Sequence, residues 1–425
     1  MIKVVKQNFK KLSGEIVIPS DKSLSHRAAI FGALACGKSR IKNFSKGQDP
    51  QSSLKVVQAL GCEVIRNDNN VELISNGILK NPQAELYCGN SGTTMRLMSG
   101  ILAGQNFSAV LTGDESLSKR PMKRVITPLS LMGAKITSNN YKAPLKFEPS
   151  TLHSITYNSE IASAQVKSCV LLAGLKCDDI TTFVEPYLSR NHTEIMLKNM
   201  GAKISTNNTT TTVSKSDLAP INTTIPGDIS SGAYFIAAGL LVPNSEITIK
   251  NIGLNSTRTG IIDVVSRMGA TIEILDKRNV FGEMVGDIRI KYCDNLKSVT
   301  LEGEIIPNII DEIPIIAVIA TQANGTTVIK DAQDLRNKES DRIKTVVTEL
   351  KKLGANIEET PDGMIIHGKT QLIGDIKVNS YCDHRIAMSL FVAGLVSQIE
   401  IAIQDFEWVN ISFPEFEEIF SQLIY

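Results

Sequence analysis

The chain reads as an α/β protein assembled from six copies of a β-α-β-α-β-β unit, three to each of two domains. Two patterns running in phase and the chain length carry that reading. An apolar helix end recurs at Leu34, Leu102, Leu175, Leu240, Ala320 and Leu395, a spacing of 65 to 80 residues, and a fixed period of this kind marks a repeat architecture. A glycine at the end of an amphipathic stretch recurs with the same period at Gly61, Gly133, Gly201, Gly269 and Gly354. The length of 425 residues exceeds what one ordinary core fills, so six units divide into two domains of three.

Each apolar helix end is followed by a short β-branched run: RIKNF, SAVLTG, ITTFVEP, ITIKNI, TVIKDA and IAIQDF. Aligned on the helix ends, Ile41, Leu111, Val184, Ile249, Ile329 and Ile403 are expected at one strand position. The glycines then close a second helix in the left-handed conformation that a Cβ disfavours. A strand pair follows each, and the sixth copy ends in a truncated second helix, FPEFEEIFSQLIY. The Thr/Asn-rich stretch 207–224 is either a domain junction or a β-hairpin tip.

Composition bounds the function. The chain is 42% hydrophobic and 21% charged with a formal net charge of +1, which gives no overall attraction to nucleic acid or anionic lipid. Any cationic site is therefore local. The seven cysteines are scattered without a C-x-x-C pair, as in a protein of a reducing compartment. The first twenty residues lack the apolar core of a signal peptide, and the most apolar stretch, IIPNIIDEIPIIAVIATQA, is broken by Pro307, Asn308, Asp311, Glu312 and Pro314. A cytoplasmic protein with no membrane association is expected.

Upstream of each apolar helix end lies a polar cluster: SDKSLSHR, GNSGTTMR, SAQVKS, GDISSG, DEIP and YCDHR. Ser, Asp and Asn there suit N-caps. Lys22, Arg27, Arg96, Lys167 and Arg385 do not, because the first turn of a helix already carries positive potential. Cations beside exposed backbone N–H groups assemble an anion site, with phosphate or carboxylate as the ligand. SLSKRPMKR adds Lys119, Arg120, Lys123 and Arg124; YLSRNHTE adds Ser189 and Arg190; LRNKESDR adds Arg336, Lys338 and Arg342. Asp311 and Glu312, Glu339 between Lys338 and Arg342, and His384 between Asp383 and Arg385 are candidate acid/base groups. A carboxylate among cations stays ionised and accepts a proton, while a lysine crowded by cations gives one up more readily. His26 reads as structural, and no Walker A, G-x-G-x-x-G or H-E-x-x-H motif supports a nucleotide or metal site.

The strings IPSDKSLSHRA, GNSGTTMRL, GDESLSKRPM, SAQVKSCVLLAGL, SRNHTE, PGDISSGAYF, DEIPIIAV, LRNKESDRI and YCDHRIAM run in order from residue 18 to residue 388. Together they resemble the 5-enolpyruvylshikimate-3-phosphate synthase family. The resemblance implies a two-domain inside-out α/β barrel, with residues 19–225 as one domain, residues 1–18 plus 226–425 as the other, and the active site in the cleft between them. It implies transfer of the enolpyruvyl group of phosphoenolpyruvate to the 5-hydroxyl of shikimate 3-phosphate, with release of phosphate, on the route to chorismate. Carried over by position, Lys22, Ser23, Arg27, Ser163, Ala164, Gln165, Ser189, Asp311 and Lys338 hold shikimate 3-phosphate. Lys22, Gly92, Arg120, Gln165, Arg342 and Arg385 hold phosphoenolpyruvate, and Asp311, Glu339, Lys22 and His384 serve the proton transfers. No cofactor or metal is implied, and the family analogy gives a monomer.

Three positions depart from the better-known family pattern. Ala164 stands for a second serine, Leu97 for a proline, and Ile411 for a lysine; a divergent bacterial class carries the S-A-Q-V-K form. They leave the response to the inhibitor glyphosate open. Two alternatives stay in view. A UDP-N-acetylglucosamine enolpyruvyl transferase shares the six-unit plan but carries Lys-Asn at the first helix and a loop cysteine, where this chain has Lys22-Ser23 and SLSKRPM. A catalytically silent anion-binding relative is the other.

Overall fold

In the computed structural model, residues 1–6 and 10–424 are described; residues 7–9, within the expected first strand, and Tyr425 lie outside them. The chain divides into two compact bodies. The N-terminal body comprises Ser20–Ile225 and Asn279–Glu283, and the C-terminal body comprises Met1–Pro19, Pro226–Arg278 and Met284–Tyr425. This differs from the expected division at Pro19, which groups with the C-terminal body, and at Asn279–Glu283. That short segment is the tip of the hairpin Ile272–Val280/Glu283–Lys291 and groups with the N-terminal body.

Within the N-terminal body each sheet takes its edge strand from the preceding repeat. Leu86–Tyr87 runs parallel to Ala109–Thr112, Thr156–Asn158 to Thr181–Val184, and Asn222–Thr224 closes the cycle against Cys36–Lys42. Antiparallel hairpins complete each four-stranded sheet. The stretch 207–224 holds the tip and returning strand of one such hairpin, Ile204–Asn207/Thr210–Val213, and its far end leads into the division between the bodies at Ile225/Pro226, so it serves both readings. In the C-terminal body, Ser13–Val17 supplies the parallel edge to Glu246–Gly253, and Ile2–Val5 pairs antiparallel with Ile401–Gln404. Among the described residues the sixth repeat has no hairpin. A cluster of Phe235, Phe391, Phe406, Phe413, Phe416 and Phe420, with ring centroids 5.0 to 6.4 Å apart, packs at that end instead.

The first helix of each repeat is apolar on nearly all sides and lies buried, as such a helix must. Each body thus has three buried helices under its sheets. Gly100 shows how close they come: a Cβ there would lie 2.1 Å from the carbonyl oxygen of Cys169 on the neighbouring helix. The five period glycines end the second helices with φ between +87° and +97°, where an L side chain is strained.

One expected strand position is wrong by a residue. Ile41, Leu111, Ile249, Ile329 and Ile403 are at most 1% exposed, but in the third repeat Phe183, at 0%, takes the core slot and Val184 faces the other way. Side chains alternate along a strand, so a single-residue offset reverses the face. Among the described residues no helix is long and apolar enough to cross a membrane.

Candidate active site

In the N-terminal body the charged residues gather at the starts of the three buried helices. Asp21 caps helix Lys22–Leu34 by accepting from the Leu24 N–H at 2.8 Å, and Lys22 Nζ lies 3.1 Å from Asp49 Oδ2. Arg27 sits a turn deeper than the sequence suggested. It is 3% exposed and donates through Nε to Thr193 Oγ1 at 2.8 Å, through Nη2 to Ser168 Oγ at 3.0 Å and through Nη1 to the Ser23 carbonyl at 3.1 Å. Those partners are neutral, and burial pushes the guanidinium down to about 10, against the pull of Glu194 and Asp21. Arg27 is still a cation at neutral pH, which suits it to an anionic ligand.

Helix Gly92–Leu102 begins between two guanidiniums. A Cβ on Gly92 would lie 3.0 Å from Arg96 Nη1 and 3.6 Å from Arg120 Nη1, so the absent side chain leaves the helix start open to both. Arg96, a turn inside the helix, donates to Gln165 Oε1 at 2.5 Å, and Gln165 Nε2 donates to Thr93 Oγ1 at 3.0 Å. Arg120 Nη2 donates to Asn90 Oδ1 at 2.8 Å. Close packing at Gly100 is what allows these side chains on two helices to meet.

Ser163 precedes helix Ala164–Gly174 without a side-chain capping bond, and Ala164 is its first residue. Lys167 departs from the expected anion site. Its ammonium is 0% exposed and lies 2.7 Å from both Glu185 Oε1 and Glu194 Oε1, so its charge is spent inside the protein. Ser189, at 2% exposure, sits in the loop above this pair.

In the C-terminal body a second cluster forms around Arg342, whose side chain is 2% exposed. Its guanidinium donates to Asp383 Oδ2 at 2.8 Å, to Asp383 Oδ1 at 3.2 Å and to Glu339 Oε2 at 2.6 Å, with Asp311 Oδ1 3.5 Å from Nη1. Arg385 Nη1 donates to the Asp311 carbonyl at 2.9 Å, and Nη2 lies 3.8 Å from Asp311 Oδ2. Burial is the largest influence and opposes charge on both guanidiniums, yet the acidic neighbours together, Asp383 and Glu339 for Arg342 and Asp311 with Tyr234, Glu312 and Asp228 for Arg385, outweigh it and raise their pKa. Asp383 also caps helix His384–Leu395, accepting from the Arg385 N–H at 2.9 Å; His384 is buried at its first position. Lys338 is a quarter exposed and pairs with Asp334 at 2.9 Å.

Several residues of these clusters were quoted in sequence motifs without being given a part. Ser168 and Thr193 fix Arg27, and Asp383 fixes Arg342. Glu312, one of the candidate acid/base groups, accepts from Ser230 Oγ, which in turn accepts from Arg258 Nη2 at 2.9 Å; Arg258, outside every motif above, also reaches Asp228 at 2.6 Å. Asp49 gave no signal, since an aspartate near a helix start is an ordinary residue there.

A family model described as EPSP synthase (3-phosphoshikimate 1-carboxyvinyltransferase) matches residues 6–420. The chain belongs to the EPSP synthase family. A 3-phosphoshikimate 1-carboxyvinyltransferase of Thermodesulfovibrio yellowstonii is 52% identical over 431 residues, covering 100% of both chains. One of Bacillus subtilis is 48% identical, covering 98% of this chain and 99% of that one. An EPSP synthase structure from Acinetobacter baumannii superposes with a TM-score of 0.89 at 38% identity, covering 100% of this chain and 98% of that one. The inside-out α/β barrel expected from the sequence is the fold of this EPSP synthase family member, with three buried helices and their outer sheets in each body.

Proposed function

We propose that the chain joins the enolpyruvyl group of phosphoenolpyruvate to the 5-hydroxyl of shikimate 3-phosphate and releases phosphate. The observation that carries the chemical half of this reading is Asp311. Its two oxygens lie 3.5 and 3.8 Å from the guanidiniums of Arg342 and Arg385, so the carboxylate faces two of the cations assigned to the donor anion. Such a carboxylate is a ready base for a hydroxyl proton.

In this reading Asp311 takes the proton as the 5-oxygen bonds to C2 of phosphoenolpyruvate, while C3 gains a proton and becomes a methyl. The adduct then loses a C3 proton as the C2–O bond to phosphate breaks. Glu339 and Lys22 serve the proton at C3 and the departing phosphate, with His384, the first residue of helix His384–Leu395, a further group. Arg342, Arg385 and Arg120, with Gly92 and Gln165, stabilise the phosphoenolpyruvate anion and the leaving group. Lys22, Ser23, Arg27, Ser163, Ala164, Gln165, Ser189, Asp311 and Lys338 hold shikimate 3-phosphate. A monomeric cytoplasmic enzyme fits the same assignment.

The test is a phosphate-release assay with shikimate 3-phosphate and, separately, UDP-N-acetylglucosamine as acceptors. Turnover with the nucleotide sugar alone would overturn the assignment. Binding of shikimate 3-phosphate without any phosphate release would instead favour a catalytically silent relative.

A further inference from the structure

We infer that Lys167 and Glu185 form a positioning clamp that sets Ser189 for the phosphorylated acceptor, an inference that rests on the proposed role of Ser189. An ammonium has three protons to give. Lys167 Nζ donates to Glu185 Oε1 at 2.7 Å and to the Ser189 carbonyl at 3.2 Å, and it forms an ion pair with Glu194 Oε1 at 2.7 Å. The ammonium is 0% exposed and enclosed by these three oxygens, so this buried cation acts through its neighbours.

The neighbour it controls is the peptide of Ser189. Glu185 Oε1 also accepts from the Ser189 N–H at 3.0 Å, so both backbone groups of that residue are held by one ion pair. The φ and ψ angles that set the direction of the Ser189 Cα–Cβ bond are thereby held. Ser189 Oγ is buried and has no hydrogen-bond partner among the described residues, a costly condition for a hydroxyl unless a ligand completes it. Lys167 lies on helix Ala164–Gly174, whose start carries Ser163, Ala164 and Gln165. The clamp therefore locks the loop serine in register with the other acceptor-binding positions of this body. Lysine is almost never fully buried unless paired, and here the pairing is spent on orientation.

A double-mutant cycle tests this by calorimetric titration of shikimate 3-phosphate into the purified protein, Lys167→Met, Ser189→Ala and the double variant. If Lys167 acts through Ser189, Lys167→Met alone weakens binding by at least about tenfold, while in the Ser189→Ala background it weakens binding by less than about threefold. The KM for phosphoenolpyruvate stays within about threefold in every variant that turns over. Penalties that simply add, or a Lys167→Met protein that binds like the parent, overturn the clamp. Lys167→Met strands two buried carboxylates, so if it does not fold the cycle is run with Glu185→Gln, with a loss of about threefold or more expected only where Ser189 is present. Failure of the unmutated protein to bind shikimate 3-phosphate at all would sink the underlying acceptor assignment instead, and the clamp's purpose with it.

Discussion

Arg342 grips Asp383 with two nitrogens, Nε to Oδ2 at 2.8 Å and Nη2 to Oδ1 at 3.2 Å, and neither side chain is more than 2% exposed. Burial, the largest influence, would raise the Asp383 carboxyl, but the charge and hydrogen bonds of Arg342 together with His384 hold the group below the usual carboxylate range. The two-pronged geometry leaves Arg342 one orientation, and Glu339 and Asp311 are arranged around it.

Removing Asp383 is therefore expected to cost more than one hydrogen bond. Asp383→Ala should destabilise the protein by about 3–5 kcal/mol, the scale for stranding one member of a buried pair, and Asp383→Asn by less. A folded pKa below the unfolded one means the stabilisation is complete above about pH 4 and is lost as pH falls through the folded value. Denaturant midpoints measured down the acid range should fall for the parent and less steeply for Asp383→Asn. Parallel curves would show that the pair contributes nothing to acid stability.

Asp311→Ala should lower kcat by at least about 10²-fold, the lower end of general-base effects, with shikimate 3-phosphate affinity barely changed. Steady-state kinetics paired with calorimetry separates the two quantities. An unaltered kcat would remove Asp311 from the proton-transfer step.

The repeat was legible because helix ends and left-handed glycines leave marks within a few residues of themselves. Gly61 and Gly354 differ in every contact yet share φ near +90°. Partner choice was not legible. Lys167 and Arg27 look alike at helix starts, and only the fold shows that Lys167 meets two glutamates while Arg27 meets a threonine and two serines. Val184 was aligned by counting from the helix end, but the loop before that strand shifts the pleat by one, and Phe183 fills the core. The place of Asn279–Glu283 depends on where a hairpin tip ends in space, which no local pattern encodes.

Gly92→Ala should act on phosphoenolpyruvate and leave the fold intact. The new methyl would lie 3.0 Å from Arg96 Nη1, the far end of a flexible side chain that can give way by a few tenths of an ångström. The shifted guanidinium and the narrowed helix start should raise the KM for phosphoenolpyruvate about tenfold, or about 1.4 kcal/mol. Thermal unfolding should show no loss. An unchanged KM would mean that the opening at Gly92 is not where this substrate sits.

Gly100→Ala should act on the fold as well as on the substrate. Its Cβ would meet the Cys169 carbonyl oxygen at 2.1 Å, and backbone on a buried helix cannot step aside. Overpacking of this kind costs about 1–3 kcal/mol or more, and separating the helices also pulls Arg96 from Gln165. The expected result is a lowered denaturant midpoint together with weaker phosphoenolpyruvate binding. Normal stability would show that the helices part without cost.

His26 gives the prediction with the clearest sign. It is 0% exposed, with Nδ1 2.8 Å from Ser53 Oγ, and Ser53 continues through Thr94 Oγ1 at 2.7 Å to Ser91 Oγ at 2.8 Å. Burial first, then Lys22 and Arg27, holds its pKa well below 6.5, so the folded protein keeps the ring neutral. An unfolded chain protonates the same histidine near pH 6.5. Between those two values the unfolded state binds the extra proton, and stability must fall as pH falls, by up to about 1.4 kcal/mol per pH unit. His26→Asn keeps a polar group facing Ser53 but has nothing to titrate there. Denaturant midpoints compared at about pH 7 and about pH 5 should therefore drop further for the parent than for the variant. Equal drops would mean that His26 accepts its proton in the folded state, and that the cations beside it tolerate one more.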